Sequence, residues 1–176
     1  MEILSYVFSL LGLVAMILAS LVGGEKMKRI LLLAFCGNVL VGLSYIADGT
    51  GINGAASCFL GAVQSIVSYF FQSKGKQIPR WLVVIYGLSF VALNIWVSGG
   101  ISLLGVIAII ATLAFVFGIV QSSGRMYRFW TVLNMLLWGV YDVVSGTYSA
   151  LITHVVLFVF TVAGMIIHDR KAMKTK

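Results

Sequence analysis

Seven apolar runs, at residues 3–22, 30–47, 52–71, 81–97, 101–120, 129–144 and 148–167, leave only short polar gaps between them. A helix crosses the hydrocarbon core with about 20 mainly apolar residues, so seven crossings consume most of a chain of 176 residues. No soluble domain fits beside them. Lipid offers backbone amides and carbonyls no partner, so an open segment crosses only as a helix, and the apolar/polar alternation of a barrel strand is absent. The expectation is an all-α integral membrane protein with seven transmembrane helices. Composition agrees: 61% of residues are apolar and 10% charged, against about 25% charged in soluble domains.

A net charge of +7 raises nucleic acid as a partner, but a nucleic-acid footprint needs basic residues gathered on a folded polar face. Here they sit in the gaps. Lys26, Lys28 and Arg29 follow the first run, Lys74, Lys76 and Arg80 the third, Arg125 and Arg128 the fifth, and Arg170, Lys171, Lys174 and Lys176 the seventh, which accounts for all 12. Basic residues are retained on the cytoplasmic side. The amino terminus is therefore expected outside and the carboxyl terminus inside, which an odd number of spans requires. The opening run begins with Glu2 and is followed at once by lysines, so it reads as a retained span, not a cleaved signal.

Sliding the chain by about one hundred positions lays Lys28-Arg29 on Tyr127-Arg128 and Gly49-Thr50 near Gly146-Thr147. Three runs then match three, with one spare between. A single spare crossing starts both triplets on the same side, which makes them parallel repeats: residues 1–75, a linker helix within 76–100, and residues 101–176. The expected functional site is a cavity between the two halves.

Polar residues at membrane depth point to that cavity. Asn134, Trp138, Tyr141, Asp142 and Ser145 share one helical face. The third run repeats the pattern with Asn53, Ser57, Gly61, Gln64 and Ser68, the second adds Asn38, Gly42 and Tyr45, and the seventh carries His154 and Thr161. Asn38, Tyr45, Gln64, Asn134, Trp138 and Tyr141 are the expected substrate-binding residues. Such side chains also simply fasten helices by hydrogen bonds, and both roles stay open. Asp142 and His154 lie at similar depths below the same membrane face, and a buried carboxylate needs a partner. They are the expected proton-coupling or gating pair. Ser5, Ser9, Gly12, Ala15 and Ala19, and Gly105, Ala108, Ala111 and Ala114, form small-residue packing faces. Trp81, Trp96, Trp130 and Tyr127 read as anchors at the membrane borders, and His168 as solvated beside Asp169.

The stretches 28–71 and 138–171, with their Gly-Thr turns, tryptophan-led second half and dibasic ends, resemble the YgjV-type family of bacterial inner-membrane proteins. The three-one-three layout also resembles that of SWEET, PQ-loop and nicotinamide-riboside carriers, and Trp138-Gly139-Val140-Tyr141-Asp142-Val143 is similar to a tryptophan and aspartate stretch of the riboside carriers. That resemblance implies facilitated movement of small polar solutes in a bacterial inner membrane. The proline-glutamine pair and the hinge prolines of SWEET proteins are missing here.

No phosphate loop, catalytic triad or metal-ligand spacing appears, and Cys36 and Cys58 fall inside apolar runs. An enzyme is not expected, nor is a cofactor or metal. The expected partners are a small neutral or weakly charged polar solute and the lipid bilayer, with no nucleic acid and a homodimer left open. The competing reading is a membrane receptor or assembly factor that keeps this architecture without transporting anything.

Overall fold

Each apolar run forms a helix because nothing in it competes with the i to i−4 ladder: there is one proline in the chain, Pro79, and it precedes a helix. The computed structural model describes residues 2–23, 26–48, 52–98, 102–146 and 148–169. Its helices are α1 (Glu2–Leu21), α2 (Met27–Asp48), α3 (Ile52–Ser73), α4 (Arg80–Ser98), α5 (Leu103–Ile119), α6 (Gly124–Ser145) and α7 (Tyr148–Gly164), and α7 continues into a π turn over Met165–Asp169. The turn residues Gly49, Thr50 and Thr147, the side chain of Asn53 and the tail from Arg170 onward lie outside the described residues.

Two helices start three or more residues before their apolar runs. α2 begins at Met27 and α6 at Gly124, because methionine, lysine and arginine are good helix formers whatever their hydropathy. The Ser123 hydroxyl fixes the second start by accepting the Met126 amide at 3.3 Å. Ser102 does the same for α5, accepting the Gly105 amide at 3.0 Å. At the far end of α6, Gly146 takes a left-handed conformation with φ of 74° and donates its amide to the Asp142 carbonyl. A side chain is strained there, so glycine ends α6 one turn beyond Asp142.

Length and composition separate the seven. Four helices are long and apolar enough to cross a membrane: spans lie within α1, α2 and α3, and a fourth runs from Ala150 in α7 through the π turn to His168. The apolar stretches Arg80–Trp96 of α4 and Leu103–Ile119 of α5 are shorter. α6 has 22 residues, about 33 Å at 1.5 Å per residue, but carries Arg125, Arg128 and Asp142.

Packing follows the small residues. α1 lies on α2 where Gly12 and Gly37 meet: a Cβ at Gly12 would come 2.7 Å from Val41 Cγ2, and one at Gly37 would come 2.8 Å from Met16 Cγ. Gly42 gives the Phe59 ring its place between α2 and α3. Ala108, Ala111 and Ala114 bury the matching face of α5, as the small-residue stripes imply. α5, α6 and α7 pack in succession, α4 lies chiefly on α5, and α1 meets α7. The apolar core centres on Ile30, Leu31, Tyr86, Phe90, Val116, Ile119 and Tyr127. Tyr127 therefore sits in the core and not at a membrane border, because the early start of α6 turns it inward. Trp81 and Trp96 remain exposed, while Trp130 packs its ring 5.0 Å from that of Phe117.

One end of the bundle gathers the basic residues. Lys26, Lys28 and Arg29 share a cavity of about 400 Å³ with Gln72 of α3 and Ser122 after α5. Beside it the last carbonyls of α1 are capped from the other half. Arg128, fully buried, donates Nη1 to Val22 O at 2.9 Å, and His168 donates Nε2 to Leu21 O at 2.8 Å. Cations at a helix carboxyl end meet its negative dipole. His168 is thus a helix cap, not a solvated border residue; the π turn swings it back over α1. The Thr161 hydroxyl meets that of Ser20 at 3.0 Å in the same seam.

The seam closes on Gly164, where a Cβ would fall on the Ser20 carbonyl oxygen and 3.3 Å from Arg128 Cδ. Gly164→Ala should cost about 1 to 3 kcal/mol by overpacking, read as a lowered unfolding midpoint in detergent. Gly139→Ala should be neutral or slightly stabilising, since its nearest atom is Leu151 Cδ1 at 3.8 Å.

Candidate functional site

The last two turns of α6 and the first two of α7 face each other at the end of the bundle opposite the basic loops. Asp142 lies about 4.5 Å inside the end of α6 and His154 about 9 Å inside the start of α7, from their positions at 1.5 Å per residue. They meet: His154 Nδ1 is 2.6 Å from Asp142 Oδ2. Asp142 is 2% exposed, so its charge is withdrawn from solvent and the imidazole is the group that answers it. A carboxylate only accepts, which places the proton on Nδ1 and leaves Nε2 as the second functional atom of the ring.

Trp138 fixes the imidazole from the side. The two rings are stacked with centroids 5.9 Å apart and planes 13° apart, and Tyr141 meets the indole edge-on at 5.2 Å. Trp138, Tyr141, Asp142 and His154 therefore form one cluster. Tyr45, near the end of α2, is close enough to feel both the Asp142 carboxylate and Cys58 of α3, which brings the first half to the edge of this cluster.

The remaining expected site residues stand elsewhere. Asn38 donates Nδ2 to Ala34 O of its own helix at 2.8 Å, and its Oδ1 lies against Gly61. Asn134 donates to Ala111 O of α5 at 2.6 Å. Gln64 donates Nε2 to Tyr86 O at 3.3 Å, fastening α3 to α4. Its Oε1 and the buried Ser65 hydroxyl find no hydrogen-bond partner among the described residues, and the Tyr86 hydroxyl approaches that of Ser68. Ser65 and Tyr86 extend the interior polar group beyond what the helical stripe suggests; Tyr86 reads in sequence as one more aromatic of an apolar run. Arg128 was also hidden, because it reads as a loop cation until α6 is seen to begin before it.

His154 has a second neighbour. A groove of about 640 Å³ runs between α6 and α7, walled by residues such as Leu136, Gly139, Val143, Leu151 and Phe158, with His154 its one polar side chain. It belongs to the second half of the chain, not to the boundary between halves.

Residues 6–172 match the family model Imp-YgjV, described as a bacterial inner membrane protein. The chain belongs to that family. No curated protein and no solved structure matches it. The family is one of bacterial inner-membrane proteins, and Asp142 is buried inside the helical bundle.

In such surroundings an unpaired charge is costly, so removal of either partner should be felt by the other. Asp142→Asn and His154→Gln should each lower stability, and the double variant should lose less than the sum, with a coupling of about 1 to 3 kcal/mol. A double-mutant cycle on unfolding in detergent measures it. Additive losses would mean that the 2.6 Å contact contributes nothing.

Proposed function

We propose that this Imp-YgjV protein crosses the bacterial inner membrane seven times, amino end outside and carboxyl end cytoplasmic, as two three-helix halves joined by α4. In this reading it is a carrier or facilitator, not an enzyme, for a small neutral or weakly charged polar solute, with Asp142 and His154 as its proton-coupling pair. The observation that carries the reading is that pair: an acid and an imidazole in direct contact inside a membrane bundle, where ionisable groups are functional candidates by default. The basic residues gathered at one end support the orientation. The interior oxygens of Gln64 and Ser65 supply polar surface with hydrogen-bonding capacity to spare. Trp138, with one face against His154, holds the imidazole and offers its other face to a planar solute. Asn38, Tyr45, Asn134 and Tyr141 complete the polar lining when the halves move.

One set of contacts favours the second reading, a receptor or assembly factor. The amide donors of Asn38, Gln64 and Asn134 are all engaged on backbone carbonyls, as in a bundle that stays closed.

The two readings differ in whether buried positions ever meet water. Gln64 is 1% and Asn134 4% exposed. With Cys36 and Cys58 replaced by Ala, Gln64→Cys and Asn134→Cys should react with a membrane-impermeant maleimide applied from either side of the membrane. Reaction from one side only, or from neither, would favour the receptor. A reporter fused after Lys176 should be active only in the cytoplasm, and periplasmic activity there would reverse the orientation.

A further inference from the structure

His154 is poised between two environments, and only one of them is accounted for by its partner Asp142. Nδ1 is held on the carboxylate at 2.6 Å and one ring face lies on Trp138. Nε2 makes no hydrogen bond among the described residues, and the side chain, 21% exposed, forms part of the wall of the groove between α6 and α7. Every other wall residue is apolar. A groove that needed only to shed lipid would carry an apolar side chain at this position, as it does at Leu151 one turn before and Phe158 one turn after.

We propose that this groove binds a single-chain amphiphile with a carboxyl headgroup, a long-chain fatty acid, whose carboxyl meets His154 Nε2 and whose tail follows α6 and α7 past Gly139 and Phe158. About 640 Å³ falls within the roughly 300 to 1,000 Å³ of ligand sites, which pair apolar walls with a few placed polar groups. The polarity matches atom for atom. A neutral imidazole whose Nδ1–H is given to Asp142 accepts the acid's O–H at Nε2. After proton transfer the imidazolium donates Nε2–H to the carboxylate, with the same atoms and one proton relocated. Depth agrees too. His154 lies about 9 Å inside the end of α7, at 1.5 Å per residue, near where a headgroup ends and a tail begins. Leu136, Val143 and Val155, each about half exposed, leave the groove open sideways, so such a ligand enters from the bilayer. This site shares His154 with the carrier reading, and both rest on the seven-span arrangement.

The test uses Trp138 as reporter, with Trp81, Trp96 and Trp130 replaced by Phe, in nanodiscs. A brominated long-chain fatty acid should quench Trp138 saturably, and the brominated methyl ester, which has neither an ionisable proton nor a carboxylate, should need at least tenfold higher concentration. Gly139→Phe, which fills the groove opposite Leu151 and leaves the Asp142 contact alone, should abolish the saturable phase. His154→Leu should weaken it at least tenfold; the ester comparison on otherwise unaltered protein decides the matter if that variant folds poorly. Equal potency of acid and ester overturns the headgroup assignment. Quenching by brominated phosphatidylcholine as strong as by the acid, and without saturation, overturns the site while leaving the spans intact. Failure of every brominated lipid to reach Trp138 removes both.

Discussion

Asp142 is a carboxylate enclosed by helices in a protein of the inner membrane, and water cannot answer its charge. The imidazole of His154 does so, and much of the local architecture serves that contact. Gly146 stops α6 just beyond the acid, so that α7 can turn back alongside it. Trp138, one turn earlier on the same face, holds the imidazole plane. The pairing depends on two helix ends being brought to similar depth, and the left-handed Gly146 ends α6 at the level this needs.

At the other end of the bundle the same rule operates on the backbone. The last carbonyls of α1 have no intrahelical donor, and Arg128 and His168 supply donors from α6 and α7. This seam, tightened by Ser20, Thr161 and Gly164, ties the first three helices to the last three. Any motion between the halves has to break or pivot about it. The Asp142–His154 contact lies wholly within the second half, so such motion can leave the pair intact while changing what it faces.

The helices were legible because lipid demands long apolar runs, and hydropathy measures that demand. Helix ends were not, since Met27 to Arg29 and Gly124 to Arg128 favour helix without being apolar. That single shift is what hid Arg128 in the seam and Tyr127 in the core. Asp142 with His154 was legible from depth and helical face alone. The asparagines were not: a polar side chain on a helix can bond its own preceding turn, as Asn38 does, or a neighbour, as Asn134 does. Sequence spacing is the same in both cases. The groove beside His154 was equally hidden, because it is formed only where side chains of α6 and α7 come together and not by any one residue type.

The proton between His154 Nδ1 and Asp142 Oδ2 joins α6 to α7 inside the bundle, and nitrogen-15 spectroscopy of histidine observes that proton directly. The chain has two histidines, and His168→Gln assigns them. In nanodiscs, the account predicts a protonated Nδ1 on His154 that exchanges slowly with water and shifts when Asp142 is replaced by Asn. An imidazole that exchanges freely at both nitrogens, with signals indifferent to Asp142→Asn, would contradict it.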